Sequence, residues 1–283
     1  MASGSAIDEF QRGGDPLLLA LKARLDSDPT RGEVVLAGPT QFLAMRTISE
    51  TLTGRVGIIE LLPFSVGAPN GVEESFVAAL FGRPADALVG RDSAAATRAD
   101  YASLIATGGF PELVLGPRTN RFRSTWCETY LRTVTAVANV GQVADVRRPE
   151  ALFTVLSQAA ARSGGELVVA DLARDVQLDE TTIHNYLQAL ATLYLVRSLP
   201  AWAAGHTGRA KKRPVLHLID TALAAHLLGA TPDGLARIDS PWFGPLLESF
   251  VVGEVAKQAT WGDRGEGDVH AHAGPREASG VHP

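Results

Sequence analysis

The chain has 283 residues, 46% of them hydrophobic and 20% charged, which is enough to bury a sizeable core in two domains, with or without a fragment of a third. Its formal net charge of −5 excludes a global basic field that would attract nucleic acid. The single cysteine, Cys127, excludes an intramolecular disulfide and suits a reducing cytosol.

The start of the chain, "MASGSAIDEF", lacks the basic and apolar regions of a signal peptide. No apolar run reaches the ~18 residues that a transmembrane helix needs. We therefore expect a cytoplasmic protein that has no membrane partner.

The first 65 residues alternate between strand and helix patterns. Residues 15–26 predict a helix with leucines on one face, and the short apolar run 33–38, "EVVLAG", predicts a buried strand. Residues 39–52 have helical spacing, and residues 54–65 predict a second strand that ends near Pro63. Elements in this order favour a parallel α/β sheet.

From about residue 70 the patterns are mainly helical, with a clear helix predicted over 124–140. Residues 150–219 then predict two helices, a turn, a third helix beginning after Asp179 as N-cap, and a hairpin. This order is typical of a winged helix-turn-helix. Two further helices are predicted over 220–229 and 244–261.

A phosphate-binding loop is not found in this sequence. Such a loop needs a glycine-rich turn, a lysine for the β- and γ-phosphates and a hydroxyl for Mg²⁺. The four lysines, which do not follow a glycine or open a helix after a strand, are Lys22, Lys211, Lys212 and Lys257.

An ordered series of motifs carries a family resemblance: "IDEFQR", "GEVVLAG", "SETLTGRV", "ELLPFS", "GGFPEL", "TTIHNYLQALATLYLVRSLPAW", "KKRPVLHLIDTALAAHLLG" and "GPLLESFVVGEV". This series resembles a prokaryotic family of AAA-type ATP-binding proteins whose C-terminal half is catalogued as domain of unknown function 4143. The resemblance implies an N-terminal ATPase module, a winged helix and a final region similar to restriction endonucleases.

The resemblance also implies roles for individual residues. Asp8 and Glu9 match the family's Walker B acids, which hold Mg²⁺ and activate water. The turn after "EVVLAG" matches the sensor-1 loop, where Thr40 is the nearby hydroxyl residue. Arg55 matches an arginine that could reach a γ-phosphate, as arginine fingers do. ATP and Mg²⁺ are the cofactors that the full-length family implies.

The sequence also departs from the family. It begins just before the Walker B acids, and the family's closing Glu-Val-Asp and Glu-x-Lys motifs do not occur. We therefore expect a chain truncated at both ends that holds no cofactor by itself and does not hydrolyse ATP, although the family implies an ATPase. The predicted fold is α/β, a partial parallel-sheet ATPase core followed by a mainly helical winged-helix module. Its predicted parts are the core remnant 1–70, a helical lid or linker 71–149, the winged-helix module with its following helices 150–261, and a disordered tail 262–283.

The alternative function is binding of DNA or of a protein through the winged helix. Its candidate DNA-contacting residues, on the third helix and the wing, are Thr181, Thr182, His184, Asn185, Gln188, Lys211, Lys212 and Arg213. Asp171, Asp175, Asp179 and Glu180 lie in the same segment and repel phosphate, which favours packing or a protein partner.

No spacing of histidines, cysteines or acids predicts a metal site. Cys127 lies in a predicted helix without an activating neighbour, so we interpret it as a core thiol.

Overall fold

The structure is a computed structural model, and it describes residues 5–27, 34–38, 52, 55–57, 59–72, 76–82, 96–136, 148–202 and 213–261. Statements below refer to these residues. The helix predicted over 39–52, apart from Leu52, and the predicted disordered tail lie outside them.

A small parallel sheet forms the N-terminal region. Strand β1 (Ser5–Ile7) pairs in register with β2 (Val34–Leu36), so that Ile7 lies opposite Leu36. A 3₁₀ turn and helix α1 (Gly14–Ser27) connect the strands. The helix predicted over 15–26 and the strand predicted over 33–38 are confirmed, and a parallel pair occurs, but its other strand is β1, which the sequence pattern did not predict.

The prediction of a second strand over 54–65 is wrong, because the residues described there, 55–57 and 59–65, do not form a strand. Residues 59–65 run as extended chain without a strand partner. A β-strand needs a neighbouring strand to satisfy its backbone groups, and a local apolar pattern does not provide that neighbour. A 3₁₀ turn at Ala68–Asn70 and helix α2 (Phe76–Gly82) follow.

Three helices come next: α3 (Arg98–Thr107), α4 (Pro111–Leu115) and α5 (Asn120–Val134). A reciprocal capping box between Thr97 and Asp100 begins α3. Because Thr119 caps α5, this helix starts four residues earlier than the pattern predicts. Phe110, Trp126 and Tyr130 form an aromatic cluster, with the Trp126 and Tyr130 rings stacked at 5.0 Å.

A helix-rich unit with a small antiparallel sheet follows. Its elements are α6 (Pro149–Ala160), β3 (Gly165–Glu166), α7 (Val169–Val176), α8 (Glu180–Thr192), β4 (Val196–Leu199) and β5 (Val215–Leu218). The strand order is β3-β5-β4, with both pairs antiparallel. These are the helices and hairpin that the sequence predicts, and Asp179 caps α8 as expected. The helix ends at Thr192, before Tyr194, whose positive φ of 53° breaks the helix.

Three helices complete the described chain: α9 (Thr221–Leu227), α10 (Pro232–Ala236) and α11 (Phe243–Trp261). A single large hydrophobic cluster runs from α3 to the start of α11. Arg98 lies over the Phe243 ring at 3.7 Å and links α3 to α11. None of the helices in the described ranges is both long enough and apolar enough to cross a bilayer.

Candidate functional sites

Asp8 and Glu9 lie at the carboxyl end of the parallel strand pair. The Ala37 amide donates to the Ile7 carbonyl at 2.9 Å, and the Phe10 amide donates to the Ala37 carbonyl at 3.2 Å. The acids therefore lie beside the turn that follows β2. This is the edge of a parallel sheet at which α/β proteins bind ligands.

Both carboxylates have local partners. Asp8 accepts a hydrogen bond from the Glu9 amide at 2.9 Å, and Glu9 lies 3.9 Å from the Arg12 guanidinium. Glu9 also has a positive φ of 49°, a conformation that is uncommon for residues other than glycine. Phe10, Leu18 and Leu52 form the small hydrophobic cluster beneath this turn.

Arg55 forms an ion pair with Asp26 at the end of α1. Its side chain is about half exposed, at 42%. Arg55, the predicted arginine finger, is therefore paired with an acid of the same N-terminal region. Thr40, the predicted sensor-1 hydroxyl, lies outside the described residues.

The acid pair alone does not fit Mg²⁺ or a nucleotide. No group of three or more His, Cys, Asp or Glu side chains within the described ranges could hold a metal ion. Mg²⁺ sites of this type combine one or two carboxylates with substrate phosphates, which a glycine-rich loop and a lysine must hold. Asp8 and Glu9 therefore supply only part of such a site.

Helix α8 presents a polar face to solvent. Ile183, Tyr186 and Leu190 point into the core, and Leu187 and Ala189 are also buried, so the polar residues of α8 lie on its opposite side. Of the predicted contact residues on α8, those that are exposed are Thr181, His184, Asn185 and Gln188. Thr182 is half-buried, and its hydroxyl donates to Asp179 at 2.6 Å, so that it belongs to the helix cap.

The charges around this face are partly compensated. Asp171 pairs with Arg174 at 2.6 Å, and Asp175 pairs with Arg162. Hydrogen bonds from Thr182 lower the pKa of Asp179, which stays ionised. On the wing, Arg213 is exposed, whereas Lys211 and Lys212 lie outside the described residues.

Sequence reasoning missed a group of buried polar side chains where the sheet meets α11. Lys257 is only 7% exposed, yet it pairs with Glu254 at 2.7 Å and donates to the Phe64 carbonyl at 2.8 Å. His217 is 2% exposed and lies 3.0 Å from the Ser249 hydroxyl. Burial lowers the pKa of His217, which favours the neutral ring. No single segment of sequence contains these partners together.

Asp220 is a second missed residue. Its carboxylate caps α9 and accepts hydrogen bonds from the amides of Gly109, at 2.7 Å, and Ala222, at 2.8 Å. Burial raises the pKa of the Asp220 carboxyl, which its amide partners and Lys257 oppose. The adjacent glycines of "GGF" are a sequence signal for this close contact.

Cys127 is a core thiol, as the sequence predicts. It is 1% exposed, and burial raises its pKa to about 12. Such a thiol stays protonated at neutral pH and is a poor nucleophile.

Two family models match separate parts of the chain. Residues 3–68 match a model described as an AAA domain. Residues 98–234 match a model described as a domain of unknown function, DUF8612. The AAA-type resemblance of the N-terminal region is thereby confirmed at the level of the domain. The second match carries a different designation from domain of unknown function 4143, which stays a prediction.

The curated relatives are proteins of mycobacteria. The chain is 29% identical over 255 residues to an uncharacterized protein of Mycobacterium bovis and, at the same identity, to one of Mycobacterium tuberculosis. Each alignment covers 88% of this chain and 50% of the relative, so the chain spans about half the length of these relatives. No solved structure matches the chain.

Proposed function

We propose that this chain is an AAA-type protein that does not hydrolyse ATP by itself and that acts by binding a partner through a winged-helix module. The observation that carries the first part is the acid pair at the end of β1. Asp8 and Glu9 have the position of Walker B acids beside the turn after β2, but their carboxylates are engaged with the Glu9 amide and Arg12.

The lysines support the same conclusion. Lys257 is buried against Phe64 and Glu254, and Lys22 lies on the exposed side of α1. Lys211 and Lys212 lie in the predicted wing, and neither directly follows a glycine. Without a lysine and an amide cradle for the phosphates, two carboxylates have little affinity for Mg²⁺·ATP.

Calorimetric titration of the purified chain with Mg²⁺·ATP tests this proposal. We expect no binding in the micromolar range and no phosphate release above that of buffer. Glu9→Gln is the matched variant, and it should give the same result as the unaltered chain. Micromolar binding, or turnover that disappears in Glu9→Gln, would show that the chain is a working ATPase.

The second part of the proposal concerns the exposed face of α8. The order of α6, β3, α7, α8, β4 and β5 supports a winged helix, in which α8 would be the recognition helix. The ionised Asp179 and the exposed Glu180 near this face disfavour phosphate, although Asp171 and Asp175 are paired with arginines, so a protein partner is the better-supported occupant. Binding of DNA is the second candidate, because Asn185 and Gln188 are side chains that pair with adenine in a major groove.

A gel-shift titration at two salt concentrations separates these candidates. Specific DNA binding should survive moderate salt and weaken about tenfold or more in Asn185→Ala/Gln188→Ala, since each base contact contributes about 1–3 kcal/mol. Ser124→Ala, an exposed change on α5, is the control. We expect no gel shift that persists at the higher salt concentration. A shift that does persist, and that the double variant Asn185→Ala/Gln188→Ala abolishes, would favour DNA over a protein partner.

A further inference from the structure

The segment 59–66, which we call the strap, lies near the end of the AAA-matched region and packs against the helical region. Glu60 pairs with Arg197 of β4 at 2.6 Å. The Phe64 amide donates to the Gly109 carbonyl at 2.7 Å, and the Phe64 carbonyl accepts from Lys257 at 2.8 Å. The strap therefore contacts the sheet, the α3–α4 turn and α11, which are far apart in sequence.

Further hydrogen bonds connect these contacts into one network. Glu254 accepts from the Val66 amide at 2.9 Å through one oxygen and pairs with Lys257 through the other. Gly109 in turn donates its amide to Asp220, the cap of α9. A Cβ at Gly109 would lie 2.3 Å from the Phe64 carbonyl, so the close approach requires glycine there. The strap is thus connected to the start of α9 as well as to α11.

The outer side of the strap makes few apolar contacts. Ile59 is 92% exposed and Leu61 is 94% exposed, although both are large apolar residues. Leu62 and Pro63 are only half-buried, and Ser65 is the residue that lies deepest. The strap is consequently held mainly by hydrogen bonds and by the ion pair between Glu60 and Arg197, which are weak contacts where water can replace them.

The inner side of the strap is imperfectly packed. A cavity of about 20 Å³ separates Leu62 and Pro63 from His217 and Lys257. The His217 Nε2 atom is buried and has no hydrogen-bond partner among the described residues. A buried polar atom without a partner costs free energy, and lifting the strap would let water reach it.

The hydrogen bonds around His217 also indicate its tautomer. Ser249 can donate its hydroxyl hydrogen to the Pro245 carbonyl at 3.0 Å and accept from His217 Nδ1. Ser163 can then donate to Ser249 while accepting from the Leu218 amide. This arrangement leaves Nε2 as a lone-pair acceptor, which is less costly to bury alone than an N–H group.

From these observations we propose that the strap is a latch that opens and closes on α11, with Lys257 as its holding group. In the closed state Lys257 and Glu254 have their partners, but His217 Nε2 does not. In the open state all three groups reach water, so the two states differ by a few polar contacts rather than by a large apolar area. The latch therefore connects the last residues of the AAA-matched region to α11 and, through Gly109, to Asp220, the cap of α9.

Amide hydrogen exchange on the full chain tests the latch. Lys257→Met keeps the aliphatic stem and removes the ammonium group, so that the Phe64 carbonyl and Glu254 lose their shared donor. We expect the Phe64 and Val66 amides to exchange about tenfold faster in this variant, while the Leu187 and Leu190 amides of α8 keep their rates. Lys22→Met, an exposed change on α1, is the matched control and should leave all four rates unchanged.

Two results would overturn the latch. One is equal exchange of Phe64 and Val66 in Lys257→Met and in the unaltered chain. The other is exchange of these amides only with the global unfolding that releases Leu190. If Lys257→Met does not fold, Glu60→Gln decides the matter, because it removes only the ion pair to Arg197. It should accelerate Phe64 exchange about threefold, and an unchanged rate would contradict the proposal.

Discussion

The N-terminal sheet and the helical region differ in how much apolar surface they bury. Among the residues that the structure describes in the sheet region, the buried members of the hydrophobic cluster are Phe10, Leu18 and Leu52. The helical region, within the described residues, has a continuous cluster of thirty buried residues from Ala102 to Leu246. Since burial of apolar area is the main source of stability, we expect the cluster of the helical region to be the more stable of the two described clusters.

Large apolar residues are exposed in both regions, and in the helical region they include Trp202 at 77% and Ile238 at 94%. Val35 of β2 is 60% exposed, and Leu19 of α1 is also 60% exposed. An exposed apolar strand edge favours aggregation. Among the described residues the two regions therefore differ in the size of their buried clusters and not in whether they expose apolar side chains.

The largest effect should distinguish the two clusters directly. Leu190→Ala in α8 leaves a cavity in a fully buried position and should lower the free energy of unfolding of the helical region by roughly 2–5 kcal/mol. Leu18→Ala removes the same side chain from the small cluster, and it should change the main thermal transition by less than about 0.5 kcal/mol. Calorimetry of both variants checks this, and equal shifts would mean that the two clusters unfold as one.

A smaller effect should follow from the turn between α3 and α4. A Cβ at Gly108, where φ is +67°, would lie 1.9 Å from the Asp220 carboxylate. Gly108→Ala should therefore cost about 2–3 kcal/mol in unfolding by denaturant. Gly229 has a similar φ of +63° and open space around it, so Gly229→Ala should cost only about 1 kcal/mol. Similar costs at both sites would exclude the clash with Asp220.

A helix cap gives a third and smaller test. The Thr119 hydroxyl accepts from the Phe122 amide at 3.2 Å and begins α5. Thr119→Ala should destabilise the helical region by about 1 kcal/mol, which a chemical denaturation curve can resolve. Ser124→Ala, on the exposed side of the same helix, should have almost no effect.

The smallest expected effect is a loss of folding stability at acidic pH. Burial lowers the pKa of His217 and of His226 below the ordinary value of 6.5. The unfolded chain therefore takes up protons first, and the stability of the helical region should fall as the pH drops below 6.5, towards the folded pKa values. The raised pKa of Asp220 acts in the opposite direction at lower pH.

Unfolding curves measured between pH 7 and 5 check this prediction. The slope of stability against pH should be smaller in His217→Gln and smaller still when His226→Gln is added. A slope that neither change alters would place the acid sensitivity in other groups.

Much of the local structure could be predicted from the sequence. The leucine spacing of α1, the Asp179 cap of α8 and the short apolar runs of β2 and β5 depend on neighbouring residues, and the structure contains all of them. The acid pair was found in the same way, because Asp8 and Glu9 directly follow the residues of β1.

Only the tertiary structure determined which distant groups meet. The apolar pattern of 59–65 predicts a strand, but strand formation depends on a pairing partner, and the segment instead lies against α11 through Lys257. The contacts of Asp220 with Gly109 and of His217 with Ser249 join residues 111 and 32 positions apart. Local propensity and periodicity carry no information about such pairs. The sequence by itself therefore determined the elements and the acid pair of this protein, whereas the buried polar network and the strap arise from how the elements pack.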